Sequence, residues 1–262
     1  MNAISINPLL GIGSVQPGDD VAQLIVQALA ANQLQPTAGD ILVVAQKIVS
    51  KAENRYRSLA EVVPSAEAQA LAQTTAKDPR LVELVLNESS AVVRACPGVL
   101  IVRDHNGFVM ANAGIDASNL DASQHEKHDD QVLLLPKNAD VSAATIKQSL
   151  HRLTGVELGI VIADSFGRPW RQGVTNVAIG AAGVTALLDK RDQPDRTGRK
   201  LQVTQVAIGD LLASAAGLLL GESDESIPVV LIRGLSADYR GNVDSYNTAS
   251  DLVRPVEQDL FK

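Results

Sequence analysis

The chain has 262 residues, of which 45% are hydrophobic, 20% charged and 3% aromatic, a composition typical of one large or two modest globular domains with an aliphatic core. The 30 acidic residues outnumber the 23 basic residues, and the formal net charge of −7 argues against a general nucleic-acid binder. The single cysteine, Cys96, excludes intrachain disulfides and zinc sites built from several thiolates.

The first 15 residues lack the basic start of a secretory signal, and the longest apolar stretch, 211–220, is about half as long as a bilayer-spanning helix. A lone cysteine also suits a reducing compartment. We therefore expect a soluble cytoplasmic protein without a membrane or nucleic-acid partner.

The first half of the chain alternates between helical and strand patterns. Apolar spacing predicts a buried strand at 41–44 and helices at 19–31, 65–76 and 79–86, the last beginning at Pro79. Turn dipeptides such as Asn106-Gly107 separate short apolar runs and predict antiparallel hairpins. These strands are expected at 91–95, 99–103 and 108–111, and a polar loop at 116–131.

The second half contains the longest apolar patterns. A helix is expected at 142–153 with Ser142 as its N-cap, and a buried helix at 203–220 that ends at Gly221. Strands are expected at 158–163 and 229–232, with a Gly- and Ala-rich segment at 174–188, a charged turn at 189–200 and a polar tail at 235–262. Because strands and helices do not alternate strictly, the pattern predicts an α+β or mixed α/β fold.

The most informative stretch for chemistry is ADSFGRPWRQGVTNVAIG at 163–180. Asp164 and Ser165 follow a predicted strand and offer hard oxygen ligands suited to Mg²⁺ or Mn²⁺, while the guanidinium groups of Arg168 and Arg171 match phosphate or carboxylate oxygens. The residues alone leave open the alternative that Asp164 and Ser165 cap a turn and the arginines are solvated.

The sequence contains no Gly-rich phosphate-binding motif, so a phosphate site would have to be built from other residues. Two further clusters could complete such a site. Asp116, in ANAGIDASN, could supply a second metal-binding carboxylate, although a plain turn is the alternative. Lys47 and Lys51, in QKIVSK, could contact phosphates, or could lie on a solvated helix start. The pair His125-x-x-His128 lacks the spacing of a zinc enzyme and is not expected to bind metal.

Several segments together resemble the coenzyme F420-0:L-glutamate ligase family. They are GIGSVQPGDD at 11–20, ILVVAQKIVSKAE at 41–53, GFVMANAGIDASN at 107–119, DSFGRPWRQGVTNVAIG at 164–180 and LQVTQVAIGDLLASAA at 201–216, continued by GLLLGESDESIPVVLIRGL at 217–235. The resemblance covers nearly the whole chain in order. It implies that residues 1–262 form one F420-0:gamma-glutamyl ligase-like unit, with mixed sheets and helices in two subdomains and an intertwined homodimer.

The activity implied by the resemblance is GTP-dependent addition of L-glutamate to the carboxylate of a phospholactyl-deazaflavin, coenzyme F420-0, through an acyl phosphate. Two other hypotheses stay open: a ligase of the same mechanism with a different carboxylate acceptor, and a catalytically silent nucleotide-binding homologue.

The resemblance also implies a site. Asp116, Asp164, Ser165 and Glu222 would hold two divalent ions, Mg²⁺ or Mn²⁺, with K⁺ as a further cation. Asp164, Arg168 and Arg171 would act in catalysis. The residues that would contact GTP are Ile12, Gly13, Ser14, Val15, Gln46, Lys47, Lys51, Asn119, Gly221 and Ser223.

Two positions depart from the family pattern by replacing an expected carboxylate. Asn176 stands where Asp is expected, and Leu211 where Glu is expected. Serine at 165 replaces a more usual Thr and keeps the hydroxyl. If residue 176 contacts metal or substrate, we expect altered affinity or a changed acceptor.

Overall fold

A five-stranded mixed sheet lies at the centre of the computed structural model, which describes residues 3–118, 130–241 and 243–259. The strands in spatial order are β1 (Ser5–Pro8), β12 (Val229–Arg233), β2 (Ile41–Ala45), β8 (Gly159–Arg168) and β9 (Arg171–Ala182). β2 and β8 run parallel, whereas the other neighbouring pairs are antiparallel.

Helices cover both faces of this sheet. α1 (Val21–Ala31) and α5 (Ala139–Thr154) pack on one face, and α6 (Ile208–Leu220) on the other. Alternate side chains of β2 enter the two cores, since Leu42 and Val44 lie with α1 and α5 while Ile41 and Val43 lie with α6. A strand buried on both faces must be apolar throughout, which explains the run ILVVA.

A smaller antiparallel sheet has a hydrophobic cluster of its own. It consists of β4 (Ser89–Cys96), β5 (Val99–Asp104) and β6 (Val109–Ala111), against which α3 (Ala66–Thr75) and α4 (Pro79–Asn87) pack. The remaining elements are α2 (Gln46–Ala52), β3 (Tyr56–Ser58) paired with β7 (Gln131–Leu133), β10 (Leu187–Asp189) paired with β11 (Gln205–Ala207), and α7 (Ala237–Arg240).

The chain is therefore a mixed α+β protein with several sheets, as predicted. Within the described ranges, every helix is too short or too polar to span a bilayer. The two-subdomain division and the homodimer stay predictions.

Most local elements were predicted correctly, but two helices differ from expectation. α5 begins at Ala139 because the Asn138 side chain accepts the N–H of Val141, so Asn138 rather than Ser142 is the N-cap. α6 begins at Ile208 rather than at 203, and its outer face leaves Leu211 and Leu218 exposed. It is buried on one side only.

The C-terminal tail links the two sheets. Asp140, in the first turn of α5, accepts hydrogen bonds from the N–H groups of Ala181 in β9 and Ala249 in the tail, at 2.8 and 2.9 Å. Further along, Val253 packs closely against Gly107 in the β5–β6 turn. The tail thus runs from the central sheet to the smaller one.

An ion pair with a buried carboxylate joins the loop before β2 to the end of β12. The carboxylate of Asp40 is 1% exposed and accepts hydrogen bonds from Nε and Nη2 of Arg233, at 2.8 and 2.6 Å, and from the Thr37 N–H. Burial alone would raise the pKa of Asp40, but the bonds and charge of Arg233 outweigh it and the pKa is lowered.

We expect Arg233→Ala to lower the free energy of unfolding by about 2–3 kcal/mol at pH 7, because the Asp40 charge stays buried without its partner. This lies below the usual range for such losses because Arg233 is 37% exposed and water can replace part of its contact. Since the folded-state pKa of Asp40 is lowered, the pair contributes fully above the ordinary Asp pKa, and its contribution is lost as pH falls through the lowered value.

Urea denaturation at several pH values measures the free energy of unfolding of both proteins. The difference between Arg233→Ala and wild type should become smaller below about pH 4. The control is Arg191→Ala, which breaks a pair with Asp189 that is exposed on both sides. A similar loss of unfolding free energy in both variants would show that the buried charge of Asp40 is not the cause.

Candidate active site

A cleft of about 830 Å³ opens at the carboxyl end of β2, beside the middle of β8. The two strands are parallel, and their pairing ends at Ala45 and Ala163. β8 does not end at 163 as predicted but continues to Arg168, because β9 stays paired with it. Asp164 and Ser165 of β8 therefore lie beside the start of α2 at this edge of the sheet. Ligands commonly bind at this edge in open sheets with parallel strands. The smaller sheet contributes a second wall, through the segment that follows β6.

Most of the predicted site residues lie around this cleft. Those that line it are Ile12, Gly13, Ser14, Gln46, Lys47, Lys51, Asp116, Asp164, Ser165, Gly221, Glu222 and Ser223. Ser118 and Asn176 line it as well, although neither was among the predicted ligands. Ser118 lies two residues from Asp116, and Asn176 was noted only as a departure from the family pattern.

Four predicted residues are not among those around the cleft. Val15 is buried in the core beside α1. Arg168 and Arg171 are exposed at the far end of the β8–β9 hairpin, because successive residues of an extended strand advance about 3.4 Å each and carry the chain away from Asp164. Asn119 lies outside the described residues, as do His125 and His128.

Lys47 and Asp116 form an ion pair at the cleft. Lys47, in the first turn of α2, places Nζ 2.7 Å from Oδ2 of Asp116, and the other carboxylate oxygen accepts the Ser118 N–H at 2.6 Å. Burial would raise the pKa of Asp116, but these bonds and the Lys47 charge lower it overall. Asp116 is therefore ionised at neutral pH.

A left-handed turn precedes Asp116. Asn112, Ala113 and Gly114 have φ values of 52°, 53° and 68°, a conformation that asparagine and glycine tolerate but that is unfavourable for Ala113. At Gly114 a Cβ would lie 2.6 Å from Leu135, so only glycine fits. Beyond this turn, the backbone of Asp116 pairs with that of Leu133, which fixes the position of Asp116.

Asp164 has the opposite electrostatic environment. Burial, and then the charges of Asp116 and Glu222, raise its pKa to about 7, against the opposing effects of the Ser165 N–H and Lys47. Without a cation, Asp164 is thus partly protonated at neutral pH. Asp116 and Glu222 are therefore both close enough to Asp164 to repel its carboxylate.

Glu222 is held by two residues of the central sheet. The hydroxyl of Ser165 lies 2.7 and 2.8 Å from its two carboxylate oxygens, and Nδ2 of Asn176 donates to Oε1 at 2.9 Å. Ser165 and Asn176 are directly paired on β8 and β9. Glu222 itself follows Gly221, which ends α6 as predicted.

The cleft residues fit a divalent cation in donor chemistry, because carboxylate and hydroxyl oxygens are the ligands that Mg²⁺ prefers. Among the residues with described positions, no three or more His, Cys, Asp and Glu side chains are grouped closely enough to hold an ion by themselves. Mg²⁺ typically takes one or two carboxylates and completes its coordination with water and substrate phosphates. The arrangement therefore fits an ion that is shared with a phosphate ligand.

Comparisons with known proteins agree on one family. The sequence model described as F420-0:Gamma-glutamyl ligase matches residues 10–234. The chain is 42% identical to a protein of Methanothermobacter thermautotrophicus, over 99% of each chain, and 41% identical to one of Methanopyrus kandleri, over 99% and 98%. A protein of Archaeoglobus fulgidus is 36% identical, over 99% and 96%. All three are named coenzyme F420:L-glutamate ligase.

Proposed function

The chain belongs to the F420-0:gamma-glutamyl ligase family and is therefore an enzyme of the ligase class, and from this premise we propose that it attaches L-glutamate to coenzyme F420-0 with GTP as co-substrate. The acceptor is the carboxylate of the phospholactyl group. The product is an amide between that carboxylate and the amine of glutamate.

One observation carries the proposal. Cationic, carboxylate and hydroxyl side chains that are far apart in the sequence converge in a single cleft, with Lys47 from α2, Asp116 from the loop after β6, and Asp164 from β8. Such a set can hold a phosphate chain, a cation and a reacting carboxylate together. Residues 12–14 and the bend at 221–223 also line the cleft, and we expect them to bind GTP.

The chemistry needs two displacements. An acceptor carboxylate oxygen attacks the γ-phosphorus of GTP, GDP leaves, and an acyl phosphate forms. The amine nitrogen of glutamate then attacks the acyl carbon, inorganic phosphate leaves, and the amine loses a proton to solvent. A carboxylate is a poor acyl donor at neutral pH, so the first step supplies the leaving group that the second step requires.

The residues of the cleft position the reactants rather than form covalent bonds to them. Lys47 and Lys51 would offset phosphate charge, and Asp116, Asp164, Ser165 and Glu222 would hold the cations. When bound, two Mg²⁺ or Mn²⁺ ions, with K⁺ as a further cation, supply positive charge between the carboxylates and the phosphates.

We also propose the homodimer. Arg168 and Arg171 do not line the cleft of their own chain, so a catalytic role for them requires a neighbouring chain to bring the hairpin end to a cleft. The same hairpin exposes Trp170 to 88% and Val174 to 52%, which is apolar surface that a second copy could cover.

Attachment of labelled glutamate to F420-0 in the presence of GTP tests the activity directly. We expect Asp164→Asn to reduce kcat by about 100-fold or more, equivalent to about 2.7 kcal/mol of barrier, because an amide binds a divalent ion poorly. The variant should stay folded and be at least as stable as wild type at neutral pH, because burial and the charges of Asp116 and Glu222 disfavour the ionised Asp164, and a melting curve measures this.

Asp238→Asn, on the surface of α7, serves as the control and should keep wild-type activity. Asp164→Asn activity within about twofold of wild type would remove Asp164 from the mechanism. Wild-type enzyme that ignores F420-0 but transfers phosphate to another carboxylate would instead overturn the proposed acceptor.

Calorimetry with GTP tests the cation requirement. We expect binding in the presence of Mg²⁺ and little binding in EDTA, because carboxylates and phosphates repel one another without a cation between them. Equal affinity in both conditions would show that no cation bridges them.

Sedimentation at micromolar concentration tests the proposed dimer. We expect a species of about twice the 27.6 kDa chain mass, and we expect Trp170→Ser to shift the equilibrium toward the monomer by removing exposed apolar area. A single monomeric species for wild type would refute the dimer.

A further inference from the structure

Asn176 occupies an unusual place in the cleft. Its side chain is 7% exposed, yet its amide reaches Glu222 on the exposed turn after α6. The backbone carbonyl of Asn176 accepts a hydrogen bond from Ser214 Oγ in α6, at 2.8 Å. The backbone of Asn176 is therefore held by α6, while its side chain bonds to Glu222.

The orientation of the Asn176 amide follows from the charge of its partner. Nδ2 donates to Oε1 of Glu222 at 2.9 Å, while the opposite orientation would place the amide oxygen against a carboxylate oxygen. Only the N–H group can donate a hydrogen bond to a carboxylate oxygen of Glu222. Asn176 thus acts as a donor in this pair.

α6 provides the space that Asn176 needs. A Cβ at Gly217 would lie 2.8 Å from Nδ2 and 3.1 Å from Cγ of Asn176. Any larger residue at 217 must therefore displace the amide. Glycine destabilises a helix by about 1 kcal/mol relative to alanine. α6 is therefore less stable with the glycine that leaves room for Asn176.

A neutral donor at 176 also limits the charge of the cleft. Three carboxylate residues, Asp116, Asp164 and Glu222, already line the cleft. A carboxylate at 176 would add a further negative charge within hydrogen-bond distance of Glu222 and would release it. The amide instead holds Glu222 next to Ser165, whose hydroxyl proton can point to Glu222 while its lone pairs stay available to a cation.

We propose that Asn176 is a positioning residue that holds the Glu222 carboxylate toward the cleft so that Glu222 can bind the divalent ion. The proposal rests on the cation of the proposed function, and it assigns Asn176 no direct contact with substrate. Asn176 then influences cation affinity only through Glu222.

A double-mutant cycle with Mn²⁺ alone as the probe tests this dependence. Free Mn²⁺ is measured by electron paramagnetic resonance during titration of wild type, Asn176→Ala, Glu222→Gln and the double variant. We expect Mn²⁺ affinity to fall about tenfold in Asn176→Ala and about 100-fold in Glu222→Gln. The double variant should match Glu222→Gln, because without the carboxylate Asn176 has nothing to position.

A remote variant separates positioning from a merely structural role. Gly217 does not itself line the cleft, but a Cβ at this position displaces the Asn176 amide, so Mn²⁺ affinity should fall about tenfold. Alanine favours the helix by about 1 kcal/mol, which offsets part of the cost of displacing the amide, so the variant should stay folded, as its melting curve checks. Leu218→Ala, at the next position and 83% exposed, is the matched control and should bind Mn²⁺ as wild type does.

Wild-type Mn²⁺ affinity in Asn176→Ala or in Gly217→Ala would overturn the proposal, as would losses that multiply in the double variant. Failure of wild type to bind Mn²⁺ would overturn it too. If Mn²⁺ binding follows the cycle but GTP does not bind, the positioning role stands and the proposed GTP-dependent activity is rejected instead.

Discussion

The parallel pairing of β2 and β8 is the constraint on which the cleft depends. It brings the start of α2, with Lys47, beside Asp164 and Ser165 at one edge of the sheet. A parallel pair also needs a long crossover connection. That connection here contains the smaller sheet, and the segment after β6 returns Asp116 to the same edge. The antiparallel return of β9 then sets Asn176 opposite Ser165.

Two aspartates of the cleft differ in charge state because their surroundings differ. Lys47 stabilises the ionised form of Asp116, whereas burial and two neighbouring carboxylates favour a proton on Asp164. Before a ligand arrives, the cleft can therefore reduce its own repulsion by protonating Asp164. A cation arriving with phosphates would replace that proton, which couples ligand binding to proton release.

The sequence predicted the local elements better than the contacts between them. Apolar periodicity located α1, α3 and α4 because each buries one continuous stripe. It missed α2, which is only seven residues long and continues directly from β2. The Ser142 cap was wrong because Asn138, just upstream, offers its side chain to the first turn.

The candidate site was predictable as a set of residues but not as a geometry. The resemblance to a family pointed to Asp116, Asp164 and Glu222, which spacing alone could not bring together. Nor could spacing show that Asn176 binds Glu222, since that contact depends on how α6 packs on β9. Conversely, Arg168 is close to Asp164 in sequence, but the extended strand between them takes it out of the cleft.

The strand order has a consequence for how the chain is assembled during translation. β1 and β2 are synthesised early, yet they do not pair with each other, because β12 lies between them and is synthesised near the end. Until then the apolar strand β2 lacks its β12 neighbour, and contacts between such distant segments form slowly. The pairing of all five strands of the central sheet can be completed only after most of the chain has left the ribosome. Nascent chains should accordingly need protection of this open edge from aggregation.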